Sequence, residues 1–227
     1  IQGDKMFATD ATQSIRITHK SLDFKEDINF IPNALLTLLK SGGEDDVKLE
    51  ISVNSEWVKF VFSRFTFYTK RYGTEGEFMI QELTEPINVA AEYSTKAAIN
   101  LNTVKGALAQ AAYFIKDQMV YLSFSRKNGC SIEAFSGKRM NANIPVSCAY
   151  QRNLDVSYLL DTRHLKALTS FDCDNITLFL GSASDELYSV GKRMFSGSFI
   201  YYQVEDAECC IFPSLDDEAV LVTSTDE

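Results

Sequence analysis

The sequence predicts an α+β protein built from repeats of one βαβββ unit, with its helices on one face of antiparallel sheets. Three observations carry that prediction. Segments opening with DINF, AAINL and LDVSY share one layout: a short strand, a helix, then three further strands. The tetrapeptide GKRM recurs at Gly137–Met140 and Gly191–Met194, at nearly the same distance from the preceding helix. Apolar residues make up 45% of the 227 positions and charged residues 23%, the balance of a chain that folds around a core.

The opening fragment, DKMFATDATQSIRITHK, reads as the closing strands of a further copy. The first residues, IQGDKMFATD, lack a starting Met, so the helix of that copy is expected upstream of Ile1. In the next unit DINF precedes Pro32, a residue favoured in the first turn of a helix. Leu35, Leu36 and Leu39 form the apolar side, SGG ends the helix, and VKLEISV, WVKFVFS and FTFYTKR follow as strands.

The run QELTEPINVAAEYST, Gln81 to Thr95, breaks the pattern and is expected to be a connector between two domains. After it AAINL reads as a strand with Asn102 as the helix N-cap. Val104, Leu108, Ala111, Ala112 and Ile115 recur at helical spacing. MVYLSFS, CSIEAFS and NANIPVSC then alternate as half-buried strands. In the last unit LDVSY leads into a helix with Leu160, His164, Leu168 and Phe171 along one stripe, followed by ITLFLG, ELYSV and FSGSFIYYQV. The expected division is 1–80, an N-terminal domain incomplete at its start; 81–95, the connector; 96–213, a C-terminal domain; and 214–227, an acidic tail.

GKRM is not a phosphate loop. That loop needs GxxxxGK followed by Ser or Thr and then a helix. Ile132 and Glu186 stand where the first Gly belongs, Arg139 and Arg193 replace the hydroxyl, and strands flank both copies. The repeat therefore marks equivalent turns.

Net charge is −9, which argues against a protein coated in positive charge, although not against one cationic surface. No apolar run nears the roughly 20 residues that span a bilayer, and no signal-peptide pattern opens the sequence. Cys130, Cys148, Cys173, Cys209 and Cys210 follow no metal or disulfide spacing and read as reduced thiols of an intracellular protein. His19 and His164 are the only histidines, a poor supply for zinc or a nucleophile relay. GGEDD (Gly42–Asp46) and FDCDN (Phe171–Asn175) sit where polar turns are expected between helix and strand. No catalytic constellation, metal or cofactor is expected.

At this point the residues resemble a known family, the ring-shaped DNA sliding clamps. LDVSYLLDTRHLKALTSFDCDNITLFL is similar to the last helix-containing half-domain of the bacterial beta clamp, and FATDATQSIRI and EAFSGKRMNANIPV to that family's ATDG-type turn. EFMIQELTEPINVAAEYSTKAAINL and FIYYQVEDAECCIFP look more like proliferating cell nuclear antigen and the checkpoint clamps. The resemblance covers nearly the whole chain and rests on order and layout. Bacterial clamps have three domains and this chain has room for about two. It therefore implies a two-domain clamp that closes as a three-subunit ring, a homotrimer or a heterotrimer of paralogues. Its implied location is the nucleus of a eukaryote or the cytoplasm of a bacterium or phage host.

A clamp that holds duplex DNA without reading it needs cations on its inner helices, even in an acidic protein. Lys40 on the first helix, Lys105 on the second, and Arg163 and Lys166 on the third lie off the apolar stripes. Lys138, Arg139, Lys192 and Arg193 in the GKRM turns are candidate rim contacts. The resemblance further implies a pocket for hydrophobic peptides of a polymerase or repair protein. It would be bordered by Leu83, Ile87 and Val89 of the connector, a turn near Gln13 and Ile15, and Tyr202, Gln203 and Val204 near the C-terminus. ATP hydrolysis would reside in a separate clamp loader. Two other readings stand beside this one: an interaction subunit of a heteromeric checkpoint ring, and an unrelated α+β enzyme.

Overall fold

The computed structural model describes residues 1, 3–9, 13–20, 28, 56–61, 66–71, 80–115, 118–136, 139–150, 155–181, 187–190, 193–196 and 199–213, and structural statements refer to these. For 80–83, 136, 139, 187–190 and 193–196 only the backbone is described. Contacts divide the chain into two units, Ile1–Met6 with Thr18–Met79 and Phe7–Ile17 with Ile80–Glu227.

The strands begin with β1 (Lys5–Thr9) and β2 (Gln13–Thr18). In the first unit β3 (Trp57–Val61) and β4 (Thr66–Lys70) form an antiparallel hairpin. Strand alternation buries Val58 and Phe60 and turns Trp57 and Tyr68 outward. The helix expected after Pro32 and the GGEDD run lie outside the described residues.

The second unit continues through α1 (Ile80–Ala91), β5 (Lys96–Asn100), α2 (Leu101–Ala111), β6 (Met119–Ser125), β7 (Gly129–Ser136), β8 (Arg139–Val146) and β9 (Cys148–Tyr150). It then runs through β10 (Val156–Asp161), α3 (Thr162–Leu168), β11 (Asn175–Leu180), β12 (Leu187–Val190), β13 (Arg193–Ser196), β14 (Ile200–Val204) and β15 (Ala207–Ile211). One sheet has the order β1-β2-β15-β14-β11-β5-β9, another β10-β6-β7-β8, and β12 pairs with β13.

The two βαβββ copies of this unit exchange their leading strands. β5 leads into α2 yet pairs with β11, while β10 leads into α3 yet pairs with β6. Both helices start without a loop. The Leu101 N–H donates to the Asp174 carbonyl at 2.8 Å, and the Thr162 N–H donates to the Gln118 carbonyl at 2.8 Å. Each donor opens a helix, and each acceptor immediately precedes the strand that receives the exchanged one. The GKRM copies also correspond: the pairs Ser136↔Arg139 and Val190↔Arg193 close the β7–β8 and β12–β13 hairpins.

Capping corrects one expectation. The cap of α2 is Asn100, not Asn102; its Oδ1 accepts the Thr103 N–H at 3.0 Å. With the helix starting at Leu101, the buried stripe becomes Leu101, Val104, Ala107, Leu108 and Ala111. Ala112 caps the far end exposed, and Ile115 packs on the core from beyond the helix. Asp161 caps α3 in the corresponding way, accepting the Arg163 N–H at 2.8 Å. Leu160, expected on that helix, belongs to β10.

The expected connector is largely helix α1, despite Pro86 inside it. Ile87 and Ala90 bury against Phe199, Tyr201, Cys210 and Phe212. Their neighbours Tyr202, Cys209 and Ile211 join the main core with α2 and α3. Successive strand residues face opposite ways. So α2 and α3 share one face of the larger sheet, as expected, and α1 is added on the other. Residues 81–91 thus pack as a helix of the second unit, and Phe7–Ile17 also fall in it rather than with 18–79.

Candidate nucleic-acid and partner interfaces

The outer faces of α2 and α3 are small, polar or basic. Asn102, Lys105, Gly106, Ala109 and Gln110 are exposed on α2; Arg163, Lys166 and Ala167 are exposed on α3. Neither helix contains Asp or Glu. Lys105 follows its capping residue, Asn100, by the same interval as Lys166 follows Asp161, so the exchange of strands makes the two lysines equivalent. Among the described residues no ion pair engages either. Arg163 differs: its guanidinium lies 2.7 Å and 2.8 Å from Asp161 Oδ2 through Nη2 and Nε. Burial alone would raise the Asp161 pKa, but the hydrogen bonds and charge of Arg163 outweigh it and lower it. Part of the Arg163 charge is therefore spent inside the protein. Lys40, Lys138 and Lys192 lie outside the described residues. Arg139 and Arg193 open β8 and β13, with their side chains outside the description.

The residues expected around a single peptide pocket do not come together as one. Gln13 and Ile15 are not in a turn; they pair within β2 against Ile211 and Cys209. Ile15, Tyr202 and Val204 pack with the main core, whereas Ile87 is fully buried under α1 on the opposite face. Val89 is half-buried on α1, and the Leu83 side chain is outside the description. Gln203 and Val204 do share an open depression of about 410 Å³ with Cys173, Asn175, Thr177 and Phe179.

Other apolar side chains lie exposed or half-buried away from these residues. On the outer face of the four-stranded sheet Phe135 stands opposite Met140, which is 48% exposed, and its ring meets Tyr121 edge-on at 5.1 Å. Leu159 pairs beside Tyr121 on that face. Cys130, Ile132 and Ala134 are buried on one face of β7, and half-buried Phe135 shares the other with Glu133 and the buried Ser131. At the end of α2, Tyr113 is 87% exposed and Phe114 45%.

All five cysteines are free thiols, with Cys173 exposed. Cys130 of β7 and Cys148 of β9 hydrogen-bond to each other, which lowers the Cys148 pKa and raises that of Cys130. Among the described residues no three His, Cys, Asp or Glu gather as a metal site, and no helix is long and apolar enough to cross a membrane.

No family model matches the chain, and no curated protein matches it. Solved structures do. The chain is similar to a DNA polymerase sliding clamp from Pseudomonas aeruginosa, with a TM-score of 0.70 at 14% identity over 95% of this chain and 57% of that one. A DnaN sliding clamp (DNA polymerase III subunit beta) from Bartonella birtlesii bound to griselimycin gives 0.70 at 14% identity over 93% and 54%. DNA polymerase III subunit beta from Borrelia burgdorferi in complex with a natural product gives 0.68 at 16% over 95% and 54%. The chain thus has the fold of DNA sliding clamps and spans a little over half the length of these clamps. The resemblance read from the residues holds at the level of the fold.

Proposed function

We propose that this protein is a sliding clamp: it closes into a ring around duplex DNA and tethers polymerase or repair enzymes without catalysing a reaction. The equivalence of Lys105 and Lys166, on acid-free helix faces of a chain with net charge −9, carries this reading. Two sparse cations contact phosphates weakly and without reading bases, which is what sliding requires. The two-domain resemblance suggests a ring of three subunits, identical or paralogous. Loading takes a separate ATP-dependent loader.

Partner proteins dock through short apolar segments on exposed Met140 and the half-buried Phe135, Tyr121 and Leu159 beside it. The test is duplex binding as a function of salt. Lys105→Glu with Lys166→Glu should weaken binding at least tenfold and flatten its salt dependence by about two phosphate contacts. Unchanged affinity and slope in the doubly reversed variant contradict the assignment. Met140→Asp should leave duplex binding intact while removing peptide binding.

A further inference from the structure

The β7–β8 hairpin has a cysteine on each side of its open end. Cys130 is the second residue of β7, and Cys148 lies just past β8, where the chain crosses at Ser147 into the larger sheet as β9. Cys130 pairs with Val146, two residues before Cys148, so the cysteines are diagonal neighbours. Both side chains pack in the main core, and their thiols hydrogen-bond to each other. Adjacent Cys209 and Cys210 on β15, by contrast, belong to different clusters.

The crossing is fastened on both sides. The Tyr150 hydroxyl donates to the Ser125 carbonyl at 2.7 Å, and its ring meets Phe124, a strand partner of Cys130, edge-on at 5.7 Å. The Ser147 N–H donates to Thr103 Oγ1 at 3.1 Å, and its carbonyl accepts the Asn100 N–H at 2.9 Å. These contacts tie the strand beside Cys148 to β6 and to the start of α2, which keeps the two thiols adjacent.

The thiols differ in access. Cys130 is buried, so an outside reagent does not reach it, whereas Cys148 is half-buried on the edge strand of the larger sheet. The hydrogen bond from Cys130 favours the Cys148 thiolate against its partial burial, and the same contact, with burial, keeps the proton on Cys130. An attacking sulfur and a resolving sulfur are thus already distinguished.

We propose that Cys130 and Cys148 are an oxidation site, forming a reversible disulfide when the protein meets a hydroperoxide. With hydrogen peroxide, the Cys148 thiolate attacks one oxygen, the O–O bond breaks, and Cys148 becomes a sulfenic acid. The departing hydroxide takes up the proton that Cys148 had released. The Cys130 sulfur then attacks the Cys148 sulfur, the S–O bond breaks, and the Cys130 proton leaves with the hydroxyl as water. The two thiols lose two electrons in all, and the peroxide is reduced to two waters. The new bond staples the open end of the GKRM hairpin and fixes the crossing at Ser147.

The test is peptide mapping of the whole chain after mild treatment with hydrogen peroxide. Digestion without reductant should yield one linked pair, Cys130 with Cys148, and dithiothreitol should separate it. The oxidised chain should melt about 5 °C or more above the reduced one, because the bridge restricts the unfolded chain. Cys148→Ser should abolish both the link and the rise. Cys130→Ser should leave the Cys148 sulfenic acid unresolved, so that dimedone traps it about tenfold more than in the unmodified chain. The unmodified chain decides the question even if that variant does not fold. Links through Cys173, Cys209 or Cys210 in place of this pair overturn the proposal. So does a bridge that forms only in denaturant, or Cys148 passing to sulfinic acid without a bridge. A bridge that leaves the melting midpoint unchanged overturns the stapling role.

Discussion

Arg16 on β2 grips Glu208 on β15 through two parallel hydrogen bonds, Nε to Oε2 at 2.7 Å and Nη2 to Oε1 at 2.8 Å. The remaining arm donates from Nη1 to Asn88 Oδ1 of α1 at 2.7 Å, and the Tyr201 hydroxyl donates to Glu208 Oε1 at 3.1 Å. One guanidinium thus ties the β2 strand and helix α1 to the C-terminal hairpin. Both side chains are largely covered, so the bidentate pair is shielded from solvent in a way surface pairs are not. Arg16→Met should lower unfolding stability by about 1–3 kcal/mol, measured by denaturant titration. Glu208→Gln should cost less, because it keeps one acceptor for Arg16.

Tyr201 makes the same cluster sensitive to alkali. Its pKa is pushed up to about 12, first by burial, then by the charge and hydrogen bond of Glu208. The folded protein therefore holds the phenolic proton more tightly than the unfolded chain, whose tyrosines titrate near 10. The contribution is complete below pH 10 and is lost as pH rises from about 10 to 12. Tyr201→Phe should flatten stability across that window and leave it unchanged near neutrality in slope. Asp161 works in the opposite direction: its lowered pKa contributes stability above the ordinary carboxylate range, lost as pH falls through it.

Gly181 is required by a close approach. A Cβ there would lie 2.7 Å from the Tyr93 ring. The Gly181 carbonyl also accepts the buried Tyr158 hydroxyl at 2.6 Å, so the backbone cannot retreat freely. Gly181→Ala should cost about 1–3 kcal/mol. Adding Tyr93→Leu should return part of that loss, the mark of coupled neighbours.

The paired caps offer a test of the internal repeat. Asn100→Ala and Asp161→Ala each remove one side-chain acceptor from a helix start, at a cost of about 1 kcal/mol. Chemical denaturation should give similar losses for both. A large loss at one and none at the other would mean that the two copies share layout without sharing its mechanics.

Thiol labelling checks burial independently. Cys173 should react first with a small disulfide reagent, and Cys148 next, because it is half-buried and its thiolate is favoured by Cys130. Cys130, Cys209 and Cys210 should react only on unfolding.

What the sequence revealed and what it hid follow from local versus tertiary causes. The α2 stripe was legible because Val104, Leu108 and Ala111 recur at helical spacing, and GKRM marked the two hairpins because both turns obey the same strand register. Helix α1 was hidden by Pro86 and two glutamates, which read as a linker; Ile87 and Ala90, whose burial supports the helix, are too few to show a period. Asn100 and Asn102 are chemically interchangeable caps, and only the burial of Leu101 chooses between them. Ile15 and Ile87 are both apolar in sequence, and nothing local states that they pack into different clusters. Half-buried Phe135 lies off the core phase of β7, whereas Met140 shares the alternation of buried Ile144 and Val146 and is exposed beside a shift in register that the sequence does not announce.

A closed ring holds DNA by topology. Protein loaded on closed circular duplex, with its loader and ATP, should be retained after gel filtration in moderate salt and should be lost when a single cut linearises the DNA. Equal retention on circular and linear DNA, or loss from both alike, contradicts a ring.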